Sequence, residues 1–175
     1  DSKKELLTVL SQECNRYVLL EDLDFVSQYI IVSYSSVGSM KKFGVGMLLA
    51  EHGISPIITS VPYQNMSLLG YNCSLSLLDL EIDEIVFTQK FCTPVVFYKC
   101  YPKNILVLTE EGFYVLSYRG EIQNTYLLDD MLQEFEFSSD FLLYNTYSNS
   151  EKKLINLSDF GIQNPNDWFL GCGDG

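Results

Sequence analysis

The sequence predicts a mainly β fold: an antiparallel meander of short strands with one N-terminal α-helix. Three observations carry this. First, a strand–turn–strand pattern recurs. Asn104–Thr109, Glu110-Glu111-Gly112, Phe113–Tyr118 and Arg119-Gly120 run into Ile122-Gln123-Asn124; about forty residues later come Phe141–Thr146, a polar loop, Lys153–Leu157 and Ser158-Asp159-Phe160-Gly161, then Ile162-Gln163-Asn164. Second, aromatic residues reach 14%, with 12 Tyr and 11 Phe, and such side chains suit a pleated, half-buried surface. Third, Leu6, Leu7, Val9, Leu10, Cys14, Tyr17 and Val18 fall at helical spacing behind a capping box of Ser2 and Glu5.

Taken in order, residues 3–18 read as an amphipathic helix that Asp22-Leu23-Asp24 breaks. Gln28–Tyr34 and Phe43–Leu49 read as strands around a polar loop. With Glu51-His52-Gly53-Ile54 after them, they form a third, weaker copy of the repeat. Pro56–Pro62 is extended and Gln64–Asn72 reads as mixed loop. Leu78-Asp79-Leu80-Glu81-Ile82-Asp83 alternates strictly, which as a strand places Asp79, Glu81 and Asp83 in a row on one face. Pro94–Tyr101 is a further strand, and so is Met131–Phe137, with Glu134 and Glu136 on one face and Phe135 and Phe137 on the other. Residues 165–175 are a Gly-rich tail. With no linker or compositional break, the expectation is one domain over residues 1–175, with β repeats over about 25–164.

A period near forty residues built from short strands and glycine turns resembles the WD40-like and quinoprotein-like β-propeller repeats. The resemblance covers roughly residues 26–60 and 95–164. It implies propeller-like sheets, forming a small or incomplete propeller or a two-sheet β fold. The Trp-Asp and Gly-His signatures of WD40 blades are absent; Trp168 is followed by Phe169. The chain begins at Asp1 without a methionine, and the expectation is either a trimmed chain or a piece of something longer.

Net charge is -12, from 23 acidic and 11 basic residues, which disfavours nucleic acid and anionic membranes and favours a basic protein partner. The five cysteines, Cys14, Cys73, Cys92, Cys100 and Cys172, show no C-x-x-C spacing and read as reduced, in a cytoplasmic protein. No apolar run approaches the ~20 residues of a membrane span.

Catalytic chemistry finds little to build on. The one histidine, His52, sits beside Glu51 at a turn where polar residues are expected anyway. Gly44-Val45-Gly46 resembles half of a dinucleotide fingerprint, but Leu49 stands where the third glycine belongs, so the glycines read as points of close backbone approach. Leu170-Gly-Cys-Gly-Asp-Gly175 resembles the cofactor loop of the S-adenosylmethionine-dependent methyltransferases; that loop needs a helix after it, which these residues do not contain. Asp79, Glu81, Asp83 and Glu84 offer hard oxygen ligands without the wrapping loop a cation needs. No catalytic, cofactor or metal residue is assigned.

The acids carry the functional expectation. No basic residue lies between Arg119 and Lys152. Asp79, Glu81, Asp83, Asp129, Asp130, Glu134 and Glu136 are expected to form negative strand faces that dock on a basic partner. In that reading the chain is a non-enzymatic binding protein, in its narrowest form an inhibitor or immunity protein against a toxin. The alternative is a propeller-like fragment acting as a scaffold in a larger assembly, and an enzyme with a carboxylate site comes last.

Overall fold

The computed structural model describes residues 2–20, 28–49 and 56–162. Those residues form one helix and four β-sheets of three or four strands, divided between two compact units, Asp1–Gln89 and Lys90–Gly175. The fold is mainly β, built from propeller-like strand–turn–strand repeats behind one N-terminal helix.

In the first unit, helix α1 (Ser2–Glu13) precedes strands β1 (Arg16–Leu19), β2 (Gln28–Ser35) and β3 (Lys42–Leu49), ordered β1-β3-β2. Strands β4 (Ile57–Ser60), β5 (Met66–Tyr71), β6 (Ser74–Asp79) and β7 (Glu84–Lys90) form a second sheet in sequential order. The alternation of β3 organises both layers. Phe43, Val45 and Met47 point one way and join Leu69, Tyr71 and Leu78 of the second sheet in one core cluster. Leu48 points the other way and packs with Leu6 and Leu10 of α1. Gly44 and Gly46 lie on that same helix-facing side. A Cβ at Gly44 would stand 2.5 Å from Cys14 Sγ, and one at Gly46 2.8 Å from Leu10 Cδ1. The two glycines therefore let the helix seat on the strand, as their sequence context implied.

The helix is shorter than the spacing predicts. Its last bond runs from Cys14 N–H to Leu10 O, and Asn15 then takes the chain over. Asn15 N–H donates to Lys42 O at 2.9 Å, while its Oδ1 accepts the Lys42 N–H at 2.8 Å. This clamp starts β1 parallel to β3, in the register Arg16↔Phe43. Tyr17 and Val18 are strand residues, and their helical spacing is coincidental. The parallel pair also departs from the expected all-antiparallel meander.

Two more boundaries move. Met66–Tyr71, expected as loop, is a buried central strand. The alternating run that begins at Leu78 is not one strand: β6 ends at Asp79, a turn occupies residues 80–83, and β7 begins at Glu84. Asp79 causes the break. Its Oδ1 accepts the N–H groups of Glu81 (2.9 Å) and Ile82 (3.4 Å), and Asp83 adopts a left-handed φ of 56°.

In the second unit, β8 (Val95–Cys100), β9 (Asn104–Thr109), β10 (Gly112–Ser117) and β11 (Ile122–Leu127) form a sequential four-stranded sheet. Strands β12 (Leu132–Phe137), β13 (Phe141–Thr146) and β14 (Asn149–Asn156) form a three-stranded one. The hairpin between β13 and β14 is tighter than expected, because the polar residues from Asn149 on already belong to the edge strand. The two copies share a glycine turn after their second strand, although Ile122 is exposed on an edge strand and Ile162 is buried. Gly120 and Gly161, at matching places in the two copies, both adopt left-handed φ, 86° and 99°. The copies also touch: Asn124 Nδ2 of the first donates to Phe160 O of the second at 2.8 Å. Gln163 and Asn164, like His52 and the Gly-rich tail, lie outside the described residues.

Between the two sheets of this unit lies an apolar cluster that includes Leu106, Leu108, Phe113, Val115, Leu142 and Tyr144. Tyr144 meets Phe113 edge-on at 5.1 Å, and its hydroxyl donates to Tyr126 Oη at 3.0 Å. Phe97 of β8 lies 5.3 Å from Phe135 and 5.4 Å from Phe137.

Two substitutions test the layering of the first unit. Gly44→Val is expected to destabilise by about 1–3 kcal/mol, the usual result of overfilling a packed contact. Val45→Ala, on the opposite face, is expected to cost a similar amount through a cavity while leaving the helix in place. Denaturant unfolding with far-ultraviolet circular dichroism separates the two, since only the first should also reduce helix signal.

Candidate protein-interaction face

The seven acidic residues fall in both units, three in the first and four in the second. Asp79, Glu81 and Asp83 sit at the β6–β7 turn of the first unit, not in a row along a strand. Glu81 and Asp83 line a cleft of about 600 Å³ together with Arg16, Lys41 and Lys42. Glu84 next to them pairs with Arg16 at 3.0 Å. This is a mixed-charge cleft, and its bases offset the field of its acids.

In the second unit, Asp129 and Asp130 occupy the loop between β11 and β12, and both are engaged internally. Asp129 pairs with Lys153 at 3.1 Å, and the lysine bond is the main cause that holds its carboxyl below the usual range. Asp130 is also held low, first by the N–H of Met131 and then by the hydroxyl of Ser148. The base-free stretch is real in sequence, but β14 folds back and brings Lys152 and Lys153 onto it.

Glu134 and Glu136 are the two acids that lie on a strand face as expected. Glu134 stands opposite Asn145 and Glu136 opposite Leu143. Because Tyr144 points into the core, Leu143 and Asn145 point outward, joined by Leu154, which pairs with Leu143, and by Lys152, two residues from Leu154. Lys152 Nζ lies 3.6 Å from Glu136. Leu154 is 57% exposed. Asn145 is only 7% exposed, yet its Oδ1 has no hydrogen-bond partner. A concavity of about 360 Å³ opens here, lined by Glu134, Glu136, Asn145 and Lys152 among others.

Beneath this face, on the core side, Lys99 Nζ lies 5.1 Å from the Phe137 ring and 5.4 Å from the Tyr101 ring. Burial lowers the Lys99 pKa and pushes the Cys100 thiol up to about 11. Asn145 and Lys99 were not singled out by sequence. A polar residue in a strand gives no sign of its partner, and a lone lysine in an apolar strand shows no ring beside it.

No protein-family model matches the chain, and no curated protein matches it. Among solved structures it is similar to Hsv2 of Kluyveromyces lactis, at 11% identity and a TM-score of 0.37, over 63% of this chain and 35% of that one. A second structure of the same yeast protein, with its complete loop 6CD, gives 9% identity and a TM-score of 0.35, over 58% and 33%. The chain thus spans about a third of the length of those proteins. Likeness at this level bears on neither partner nor activity.

The Asp129 pair yields a direct test. Removing the cation by Lys153→Met should raise the Asp129 pKa toward the ordinary carboxylate value. The sign follows from linkage: a depressed carboxylate contributes stability above its unfolded pKa, and that contribution fades as pH falls through the folded pKa. Carboxyl-carbon NMR titration of wild type and variant measures the shift, and an unchanged Asp129 would show that the ion pair is not held in solution.

Proposed function

We propose that this chain is a non-enzymatic interaction module, a set of propeller-like sheets that acts as a scaffold in a larger assembly. The outer face of the β12–β14 sheet is its contact surface. One observation carries the reading. That sheet is packed on one face by the aromatic core, while its other face presents an exposed Leu154 together with the exposed carboxylates of Glu134 and Glu136. Covering an exposed leucine removes apolar area from water at about 25 cal/mol per Å², and the flanking carboxylates favour a cationic rim on what covers it.

A second reading keeps the acidic turn of the first unit as a docking site for a basic protein. The net charge of -12 favours it. The mixed charge of the adjoining cleft weakens it. The narrower role of inhibitor or immunity protein against a toxin rests on charge and analogy alone.

Affinity capture from the native source separates the two surfaces. Leu154→Asp is expected to reduce capture of a partner at least about tenfold, equivalent to about 1.4 kcal/mol. The triple variant Asp79→Asn, Glu81→Gln, Asp83→Asn is expected to leave that capture intact and to change only its salt dependence. The reverse pattern would move the contact surface to the β6–β7 turn. Circular dichroism of each variant establishes that the fold is retained.

A further inference from the structure

We infer that the groove where three loops of the second unit meet is a docking site for a basic protein segment that inserts one large apolar side chain. It goes beyond the scaffold surface: the groove shares no lining residue with the concavity on the outer face of the β12–β14 sheet.

The groove is built by backbone bonds. The β9–β10 turn, the β11–β12 connection and the β13–β14 turn come together at one end of the two sheets. Leu128 N–H donates to Glu111 O at 3.0 Å, Leu132 N–H to Glu110 O at 2.7 Å, and Tyr147 N–H to Met131 O at 3.1 Å. Asp130 adds a bond from the Ser148 hydroxyl. The site is therefore formed before anything enters it, which lowers the ordering cost of binding.

Its wall is apolar. The groove holds about 490 Å³, within the range of ligand pockets. Leu127, Leu128, Met131 and the Tyr114 ring line it, and Phe91 backs Tyr114 with 4.9 Å between ring centroids. Leu127 is 69% exposed and Met131 41%, and Tyr147, bonded to Met131, is exposed as well. Single exposed apolar residues are ordinary on a protein surface. Three of them around one preformed groove are the pattern of an interaction site.

Its rim is acidic. Glu111, Asp129 and Asp130 line the groove, and no base does so among the described residues. Lys153 pairs with Asp129 at 3.1 Å and offsets one of the three charges. Glu111 and Asp130 remain, and the Met131 N–H and Ser148 hydroxyl hold Asp130 in its ionised form. The occupant must suit both wall and rim. A fatty acid or other acidic lipid would fill the wall and be repelled at the rim. A segment with an apolar side chain flanked by lysine or arginine suits both, the apolar group as anchor and the cations as steering contacts.

The test uses the whole chain and the probe peptide acetyl-Lys-Lys-Leu-Lys-Lys-amide. Two comparison peptides replace the leucine by serine or the lysines by glutamate. Cys92 is exposed and lines the groove, so its alkylation by iodoacetamide, read by peptide mass mapping, reports occupancy. Saturable protection of Cys92, with saturable shifts of the Leu127 and Met131 methyl signals, is expected with the leucine–lysine peptide only. Leu127→Ser should weaken that binding at least about tenfold. Leu127→Met, which keeps the apolar surface, should bind as the wild type does and separates a lost contact from a lost fold. Glu111→Gln should weaken binding about two- to fivefold, the size of an exposed ion pair. Leu154→Asp should leave it unchanged, so the groove and the outer sheet face fail or hold independently. Equal protection by the serine peptide would reduce the site to charge attraction, and equal protection by the glutamate peptide to unselective apolar contact. Either result, or indifference to Leu127→Ser, would overturn the inference.

Discussion

Tyr144 decides which way the β12–β14 sheet faces, and the candidate interaction face follows from that choice. Its ring meets Phe113 edge-on, its hydroxyl reaches Tyr126, and it is almost fully buried. Side chains of a strand alternate strictly, so Leu143 and Asn145 must then face away from the core. A slip of one residue would turn Asn145 and Leu143 into the aromatic core and expel Tyr144, reversing every contact on the sheet. The aromatic cluster makes such a slip costly, since burial of a large ring is worth several kcal/mol. Asn124 adds a second tie by donating to Phe160 O, which fastens the turn after β14 to the preceding sheet.

The first unit solves the same problem differently. Its central strand β3 must serve a sheet on one side and a helix on the other. A sheet neighbour stands about 10 Å away and accepts large side chains. A closely seated helix needs the strand surface pared back. Phe43, Val45 and Met47 fill the first space, and Gly44 and Gly46 clear the second. The pair of glycines that imitates a nucleotide fingerprint is thus explained by packing, with Leu10 and Cys14 occupying the volume their side chains would take.

These cases show why the sequence was legible in some places and not in others. Phe141–Thr146 and Asn104–Thr109 were read with their observed bounds because each is an apolar run closed by turn residues. Met66–Tyr71 was missed because Ser67 and Gly70 dilute the run, although both are buried. Ser67 is satisfied by Tyr34 Oη at 2.9 Å, a partner 33 residues away that no local pattern reveals. The end of the helix was misplaced for a similar reason. Asn15 clamps onto Lys42, and a non-local bond overrides the helical spacing of Tyr17 and Val18. On the candidate face Glu134 and Glu136 were legible from alternation. Asn145 was not, because its burial on that face comes from packing that no local pattern reveals.

The charge tells the same story at longer range. A surplus of acids along a chain does not imply a negative surface, because folding sorts charges by position and not by order. Lys152 and Lys153 stand at the end of a long acidic stretch, yet the β13–β14 hairpin returns them to Glu136 and Asp129. Asp79 is consumed by the turn it builds, and Glu84 by Arg16, 68 residues away. Exposed ion pairs of this kind contribute little stability, about 0–1 kcal/mol each. Their consequence is to decide which carboxylates remain open to a partner. On the outer face of β12–β14 that subtraction leaves Glu134 open on the same face as the exposed Leu154, so an apolar spot and one carboxylate are held together by register, and the overall charge of the protein serves only to bring a cationic partner near.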